Sequence, residues 1–438
     1  MTRLSFVVSK KDLRATIGSA AIVIVGAVFL LVLDVLMPFT SAYADVIPAY
    51  FIYTSFFCVF VLFYSLFSLC FMSVPVSGGG QRRLPVGLSQ AMNLSLFLSV
   101  LAIFSLFVDR AFYRGVDFAS NNFVEMRAAL NSSATGSISS VFSFFGNLFQ
   151  FSYFFTLLAA VFYREFISAQ RFLVYVFFIC ACVLLGSYLL GGRAIIAVVF
   201  LSVLAGFVAR VVVGASSFGA FFKGKNLLLF FFMSIMFLFV VIYVFYMRSS
   251  VGGTSSVEYL NNFLFHLHGV SLLPLGQCGV DFICDIKNYF YLSLLYFTHV
   301  FWVLAENVDS PFMSSGGDPL FGAVLSVFSR WLQFDSGSYE FAGLFNSMPG
   351  SLYYKWGGWG VAVGAGLVGF LLALAMFCLR FYKGVLSLVF FYLLYMLLLV
   401  SPVLSIFNVI SFVFVIFCLF FYFLVFHFFG FVLRRMRL

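Results

Sequence analysis

The sequence is short of charge. Only 9% of its 438 residues are Asp, Glu, Lys or Arg, whereas 64% are apolar and the mean hydropathy is +1.13. A soluble globular domain carries about 25% charged residues, which keep its surface in water. The composition therefore excludes a soluble protein and predicts a chain that is solvated mainly by lipid.

Motifs for nucleotide and metal chemistry are absent as well. The chain contains no Walker A loop, no HExxH or GxSxG motif and no DxD-type carboxylate cluster. These absences argue against nucleotide-driven transport and against transfer from nucleotide sugars. The apolar runs also carry almost no internal charge, Asp34 being the nearest exception, which argues against an ion-coupled transporter. No metal and no cofactor is predicted.

Long apolar runs fill most of the chain. They do not alternate apolar and polar residues as barrel strands do, so we predict helices, which satisfy their own backbone hydrogen bonds in hydrocarbon. About ten spans can be drawn by length, at approximately 15–37, 47–73, 90–109, 141–162, 172–190, 194–213, 227–247, 358–379, 385–401 and 403–433. We expect the first to be retained rather than cleaved as a signal peptide. The predicted fold class is an all-α polytopic membrane protein.

The charges predict the orientation of these spans. Of the 24 Lys and Arg residues, one set of loops holds all except Arg110, Arg114, Arg127, Arg193, Arg248, Lys287, Arg330 and Lys355. Among the acids, only Asp12 and Glu165 lie on that basic side. The positive-inside rule places the basic side, with both termini, in the cytoplasm. The net charge of +9 is therefore a topology signal and not a nucleic-acid-binding surface.

Two loops on the outer face hold most of the polar residues. Residues 110–140 are rich in Ser and Asn, and residues 248–357 form a longer loop that contains two short apolar stretches, 289–305 and 320–334. If these stretches enter the membrane they do so as a pair, packed against protein or a wet cavity. Loops of this length are usually functional. We divide the chain into an N-terminal bundle at 1–247, a probable catalytic loop at 248–357 and C-terminal helices at 358–438.

Arginines at outer helix ends are candidate ligands for a phosphate. Arg193 follows Gly191 and Gly192 in a turn so short that it begins the next helix, where free N–H groups and the helix dipole also favour an anion. Arg248 ends the seventh span. Singly, Arg193 is explained equally well as a snorkelling side chain, and Arg248 is better explained as part of an interfacial belt. Together they could clamp one diphosphate. Arg114, in the first outer loop, is a further candidate.

The segment after Arg248 predicts an amphipathic helix. Ser255 and Glu258 have the spacing of a capping box. At about 100° per residue, one side of the helix is apolar, and it holds Tyr259, Leu260, Phe263, Leu264 and Leu267. We expect this helix at the membrane surface, with a polar face that is either simply solvated or turned toward a substrate.

Candidate acids and bases lie in the same outer loop. It contains His266, His268 and His299, and histidine is suited to proton transfer near neutral pH. A lone histidine is more often a packing residue than a catalytic one. We nevertheless prefer His299 slightly as the base, and His266, Glu258 and Arg330 complete the candidate catalytic set.

The cysteines are divided between the predicted spans and the outer side. Six of the eight lie in predicted spans, where they act as small apolar residues. Cys278 and Cys284 lie on the outer side, where a disulfide is plausible in an oxidising periplasm. A metal site built from these two and His266 and His268 is the weaker alternative.

The arrangement resembles a family, the oligosaccharide repeat-unit polymerases that build bacterial O-antigen and related surface polysaccharides. The resemblance rests on residues 189–196, which are similar to the family's Gly-(Gly/Ser)-x-Arg before an apolar helix, on Arg248 at the head of the long loop, and on residues 349–360. This last stretch is similar to the family's closing turn with Tyr and Gly. Lys355 stands where the family often has an acid, and Trp356 replaces a Phe.

The resemblance implies a GT-C-like glycosyltransferase of the bacterial inner membrane, with its active face periplasmic. It would transfer a growing glycan from undecaprenyl pyrophosphate to a lipid-linked repeat unit. Arg193 and Arg248 would stabilise the diphosphate, an outer-loop base would deprotonate the acceptor, and no cofactor would be required. Its partners would be the lipid-linked oligosaccharides, membrane lipid and possibly a polysaccharide chain-length regulator, with no nucleic acid. Two alternatives stay open, an O-antigen ligase and a lipid-linked oligosaccharide flippase, although a flippase would be expected to show two similar halves.

Overall fold

The computed structural model describes residues 10–37, 46–73, 84–116, 118, 140–190, 194–221, 255–268, 282–309, 318–322 and 346–435, together with single positions between 235 and 249 and between 324 and 329. Within these ranges the chain is α-helical and contains no β-strand. The predicted all-α class is confirmed.

The longer helices are numbered in chain order. They are α1 (Lys10–Leu36), α2 (Ile47–Met72), α3 (Leu88–Val108), α4 (Val141–Phe149), α5 (Tyr153–Phe162), α6 (Ala169–Leu190), α7 (Ala194–Val212), α8 (Ser256–His268), α9 (Phe282–Asp309), α10 (Met348–Tyr382), α11 (Val385–Val400) and α12 (Ile410–Arg435). A π-helical turn, Asp109–Tyr113, extends α3, and short helical turns lie at Arg164–Phe166, Phe218–Phe221 and Ile406–Asn408.

Eight helical stretches in the described ranges are long and apolar enough to cross a membrane. They are Asp12–Leu36, Ile47–Met72, Leu88–Tyr113, Val141–Phe162, Ala169–Leu189, Ile195–Val212, Met348–Tyr382 and Ile410–Arg435. Each corresponds to a predicted span. The predicted span at 385–401 is α11, which has only 16 residues and therefore reaches about 24 Å. The span at 227–247 lies largely outside the described residues.

The predicted span 141–162 is two helices rather than one. α4 ends at Phe149, and a buried turn that includes Gln150 and Ser152 leads into α5. The Ser152 N–H donates to the Phe149 carbonyl (3.0 Å) and the Phe155 N–H to the Ser152 carbonyl (3.1 Å), so the turn satisfies backbone groups by short-range bonds. Such a break is tolerated at membrane depth where it is enclosed by protein or lines a cavity.

Close packing of α2 on α10 forms the centre of the bundle. The small residues Ala365, Gly369 and Ala373 lie four positions apart on one face of α10, and all are buried. A Cβ on Gly369 would lie 2.9 Å from the carbonyl oxygen of Phe60 and from the backbone nitrogen of Tyr64, so only glycine fits there. Without a hydrophobic force between helices in lipid, small residues permit the close backbone approach that dispersion forces need.

α10 begins earlier than predicted and is kinked. It starts at Met348 rather than near 358, and its N-terminus is capped by Ser347, whose hydroxyl accepts from the Gly350 N–H at 3.1 Å. Gly357 has a φ of 64°, a value that glycine adopts without steric cost, and it separates an outer segment from the membrane span.

Ion pairs agree with the predicted division of the loops into two sides. Four pairs join described residues, namely Arg380 with Asp12, Arg210 with Glu165, Arg114 with Asp109 and Lys355 with Asp318. The first two unite residues assigned to the basic side, and the last two unite residues assigned to the outer side. If the division of the loops is correct, a charged loop side chain can pair only with a side chain of the same side, and these four pairs meet that requirement.

The long outer loop contains two helices that pack on each other. α8 confirms the predicted amphipathic helix, and the Glu258 N–H donates to the Ser255 hydroxyl at 3.2 Å, as its predicted N-cap requires. Its buried residues Leu260 and Leu264 form a cluster with residues of α9, including Leu292. Leu260 and Leu264 of the apolar face are therefore covered by protein, and the expected position of the helix at the membrane surface stays a prediction.

α9 extends the predicted apolar stretch 289–305 at both ends into a helix of 28 residues. It is not among the eight candidate spans. It packs on α1, α2 and α10, where Phe301 contacts the rings of Tyr50 and Tyr53 at 5.3 and 4.8 Å. Since these tyrosines lie in the first turns of α2, α9 covers the outer end of the bundle. The second stretch, 320–334, lies mostly outside the described residues.

Candidate functional site

The outer end of α3 carries a buried polar cluster around Asp109. Its side chain is 1% exposed and accepts hydrogen bonds from Arg114 Nε (2.9 Å) and from the Ser140 hydroxyl (2.5 Å). The sequence predicted a loop from residue 110, but the helix continues as a π-helical turn in which the Arg114 N–H reaches the Asp109 carbonyl at 3.0 Å. Such wide turns are frequent at functional sites.

Two serines join this turn to the start of α4. Ser140 caps α4 by accepting from the Ser143 N–H at 3.0 Å, while its own hydroxyl donates to Asp109. Arg114 Nη2 donates to the Ser143 hydroxyl at 3.3 Å. The predicted phosphate ligand Arg114 is therefore held in place from two helices. We call Asp109, Arg110, Arg114, Ser140 and Ser143 the Asp109 cluster.

Arg110 is the least satisfied member of the cluster. Its Nε and Nη1 are buried and form no hydrogen bond with any described residue. The guanidinium lies within electrostatic range of Arg114 and Asp109. Guanidinium groups bind phosphate and carboxylate oxygens in a planar fork.

A narrow crevice opens among α3, the α4–α5 break, α6 and α7. It is lined by Ile103, Gln150, Phe151, Tyr153, Cys182, Val183, Gly186 and Ile195. Its wall is mainly apolar, with the buried Gln150 as the polar exception. Ile103 precedes Arg110 by two helical turns, so the crevice lies about 10 Å from the arginine along the axis of α3, on nearly the same face.

The predicted short connection before Arg193 is confirmed in its length. α6 ends at Leu190 and α7 begins at Ala194, while Gly191, Gly192 and Arg193 themselves lie outside the described residues. The end of α6 is tied to the segment that follows the Asp109 cluster, because the Tyr188 hydroxyl donates to the Phe118 carbonyl at 3.1 Å. The helix end that leads to Arg193 is therefore adjacent to the segment that follows Arg114.

The preferred base, His299, is enclosed in the middle of α9. It is 3% exposed, and its Nδ1 lies 3.2 Å from the Leu295 carbonyl. Burial lowers the pKa of His299 from 6.5 to about 4, although backbone hydrogen bonds act in the opposite direction. The imidazole is consequently neutral at neutral pH, a form that accepts protons, but its burial separates it from solvent.

Next to His299, α9 meets a buried carboxylate. Asp34 at the outer end of α1 is 0% exposed and accepts from the Tyr50 hydroxyl at 2.7 Å. Thr298 on α9 lies beside this carboxylate, but its hydroxyl forms no hydrogen bond with a described residue. Asp34 therefore lies where α1, α2 and α9 meet. The sequence had placed this residue at the membrane border, and its contacts give it a structural role.

The other predicted catalytic residues are described only in part. Glu258 is exposed in the first turn of α8. His266 is on the same helix, but its side chain is outside the described set, and Arg248 and Arg330 lie outside the described residues. Among the predicted bases whose side chains are described, Glu258 is open to solvent and His299 is closed.

The stretch 349–360 is anchored to the outer loop through Lys355. Its ammonium group pairs with Asp318 and lies 4.7 Å from the ring of Trp356. Burial opposes ionisation of Asp318, but hydrogen bonds from Lys355 and from two backbone N–H groups outweigh it and hold the pKa of Asp318 below its usual value. This pair joins the stretch 349–360 to Asp318 of the long loop.

Two further sequence inferences can be compared with the structure. Cys284 is disulfide-bonded, and Cys278 lies outside the described residues. The six cysteines in the predicted spans have free thiols, as their apolar surroundings suggested.

Sequence reasoning did not single out Asp109, Arg110 or Ser140. The Asp-Arg-x-x-x-Arg pattern at residues 109–114, at the end of an apolar run, was the available signal. Ser140 is separated from it by a long loop, and its contact with Asp109 depends on tertiary packing.

No protein-family model, curated protein or solved structure matches this chain.

Proposed function

We propose that this chain is a membrane-embedded glycosyltransferase that polymerises lipid-linked oligosaccharide repeat units at the periplasmic face of a bacterial inner membrane. The observation that carries the proposal is the cationic Asp109 cluster at an outer helix end, above a mainly apolar crevice. A polyprenyl diphosphate has the matching pair of features, since its phosphates are anionic and its chain is a hydrocarbon. The resemblance to the O-antigen polymerases at residues 189–196 and 349–360 supports the same class.

The proposed reaction is a glycosyl transfer with a diphosphate leaving group. The acceptor hydroxyl oxygen forms a bond to the anomeric carbon of the growing glycan, and the bond from that carbon to the diphosphate oxygen breaks. Negative charge then develops on the leaving diphosphate, and arginines fixed at that position stabilise it more in the transition state than in the ground state. We assign this role to Arg114, which the Asp109 carboxylate orients, together with Arg193 and Arg248.

The acceptor proton must pass to a base on the outer side. Glu258 is exposed on α8, whereas His299 is enclosed in α9. A substrate hydroxyl can therefore reach Glu258 without rearrangement of the protein, while it can reach His299 only if α9 moves. We propose Glu258 as the first candidate for the base and retain His299 as the second.

The crevice has room for about one water molecule, so a polyprenyl chain would enter it only after the surrounding helices separate. Gln150 and the α4–α5 break form one wall, and Ile103, about 10 Å from Arg110 along the axis of α3, belongs to another. The remainder of the chain would extend into lipid along the Phe-rich exterior. A chain-length regulator is a proposed partner because the reaction adds repeat units to a growing polymer.

Deletion and complementation in the host test the proposal. Lipopolysaccharide from the deletion strain is resolved on a gel after complementation with wild type, Arg114→Ala, Arg193→Ala or Arg248→Ala. Arg171→Ala is the matched control, because Arg171 is exposed at the cytoplasmic end of α6. Membrane levels of each variant are measured by immunoblot so that misfolding is not mistaken for lost chemistry.

We expect the deletion to leave core carrying a single repeat unit, and the three outer arginine variants not to restore the ladder. Arg171→Ala should restore it. If the deletion strain instead transfers no repeat unit to the core, the polymerase proposal is wrong and a ligase or flippase takes its place.

A further inference from the structure

We propose that Arg110 is a phosphate-binding residue and that Arg110 and Arg114 together bind the phosphate headgroup of a lipid at the outer membrane surface. This inference rests on the proposed function only for the identity of the lipid, because the site itself is argued from the geometry of the Asp109 cluster.

The first support is the hydrogen-bond state of Arg110. Its Nε and Nη1 are buried and have no acceptor among the described residues. A buried charged donor without an acceptor costs free energy, and in native proteins such a group usually marks an absent ligand, ion or water. An arginine that merely snorkels keeps its guanidinium in water or at the headgroups. Arg110 differs from that case because two of its nitrogens are enclosed.

The second support is the arrangement of charge. Arg110 and Arg114 are four positions apart, so their side chains lie on the same face of the turn. Arg114 uses Nε for Asp109 and Nη2 for Ser143. The Asp109 carboxylate is thus engaged by Arg114, and the enclosed Arg110 donors beside it have no acceptor among the described residues.

The third support is the apolar rim of the cluster, which indicates that the anion belongs to a lipid. Phe112 is 76% exposed, Tyr113 59% and Val141 82%. The first two lie between the arginines in sequence, and Val141 follows Ser140 of the cluster. Tyr113 contacts the ring of Phe142 at 5.9 Å, so the rim spans the π-helical turn and α4. An amphiphile fits this surface, with its phosphate on the arginines and its hydrocarbon along the rim. A soluble anion would gain nothing from the rim.

Binding of defined lipids to the full-length protein in detergent tests the proposal without any glycan. Native mass spectrometry measures the affinity of undecaprenyl diphosphate, phosphatidylglycerol and undecaprenol for wild type, Arg110→Gln and the control Arg171→Gln. We expect Arg110→Gln to lower the affinity for undecaprenyl diphosphate on the order of tenfold to a hundredfold, since one charge-assisted contact is lost. Arg171→Gln should bind as wild type does. Undecaprenol, which has no phosphate, should bind weakly to all three proteins.

The phosphatidylglycerol arm identifies the source of the phosphate. If Arg110→Gln lowers the affinity for both phosphate lipids equally, the site binds the headgroups of bulk lipid. If it lowers only the affinity for undecaprenyl diphosphate, the site belongs to the substrate. Unchanged affinity of Arg110→Gln for both lipids would overturn the inference, whatever the ladder experiment shows.

A second variant protects the test against misfolding. Arg110→Lys keeps the positive charge but loses the planar fork, so it should fold and show an intermediate loss of affinity for undecaprenyl diphosphate. If both Arg110→Gln and Arg110→Lys retain the elution volume and the melting temperature of wild type and also its lipid affinity, Arg110 is not a ligand.

Discussion

Two acidic residues at outer helix ends have different surroundings. Asp109 at the end of α3 lies between two arginines, one of which has enclosed donors without an acceptor in the described part of the chain. Asp34 at the end of α1 accepts from Tyr50 and lies beside Thr298, which precedes the enclosed His299. Both carboxylates are almost fully buried. In the first cluster two arginine donors have no acceptor among the described residues, whereas in the second the carboxylate joins α1 to α2 through Tyr50.

The comparison shows that position near the membrane border does not by itself make a polar residue functional. The Asp34 region contains a carboxylate and, on α9, a histidine, which are residue types expected of an acid–base site. Both are enclosed, so a substrate can reach them only if α9 moves. In the Asp109 cluster, the enclosed Arg110 donors and the apolar rim are the basis on which we propose a ligand.

The largest expected effect is on stability and comes from Asp109→Ala. This change removes the buried carboxylate that pairs with Arg114, and breaking a buried pair costs about 3–5 kcal/mol. Thermal unfolding in detergent measures the loss. The control is Glu165→Ala, which breaks the more exposed pair with Arg210 and should cost no more than about 1 kcal/mol. Equal losses in the two variants would remove the distinction between the outer cluster and an ordinary surface pair.

The second prediction concerns acid sensitivity of the His299 region. Because the pKa of His299 falls from 6.5 to about 4 on folding, the unfolded chain binds a proton in this interval and the folded chain does not. Stability should therefore decrease as the pH is lowered from 6.5 toward 4, by up to about 3 kcal/mol. His299→Phe should remove this decrease. Unfolding midpoints measured across the interval check it, and an unchanged slope in the variant would contradict an enclosed neutral imidazole.

The third prediction separates the two candidate bases by turnover. Glu258→Gln should reduce polymerisation roughly a hundredfold, the lower end of the contribution of a general base. His299→Phe should retain activity within a few-fold, since its side chain is enclosed. Both are measured with purified protein and lipid-linked repeat units, at equal amounts of folded protein. A reversed order would assign the base to α9 and require that helix to open during the reaction.

The smallest effect is expected at the junction of Lys355 and Asp318. Both side chains are partly exposed, at 29% and 16%, so Lys355→Met should cost less than about 1 kcal/mol. Because the folded pKa of Asp318 is lowered, the pair contributes stability at neutral pH that is lost as the pH falls through the folded pKa. Lys355→Met should abolish that acid-dependent part. A loss of stability as large as that of Asp109→Ala would show that the Lys355–Asp318 pair stabilises the fold as much as the Asp109 cluster does.

The sequence predicted the helical spans well because their signal is local. Every apolar run in the described ranges is helical, and the capping residue Ser255 begins α8 as its spacing to Glu258 required. The break at Gln150 was not predicted, because no proline or glycine marks it. The turn depends on burial of Gln150 and Ser152 among neighbouring helices, which no local pattern records.

The sequence by itself determined the membrane class, the approximate positions of the spans and the unequal distribution of charged residues between two sets of loops. These follow from hydrophobicity and helix length, which act residue by residue. Tertiary structure decided which polar residues are enclosed and which of them, such as Arg110, have no hydrogen-bond acceptor among the described residues. Ser140 reaches Asp109 across 31 positions of the chain, and Thr298 of another helix lies beside Asp34. Such contacts depend on how helices pack, so the Asp109 cluster became a candidate site only in the folded protein.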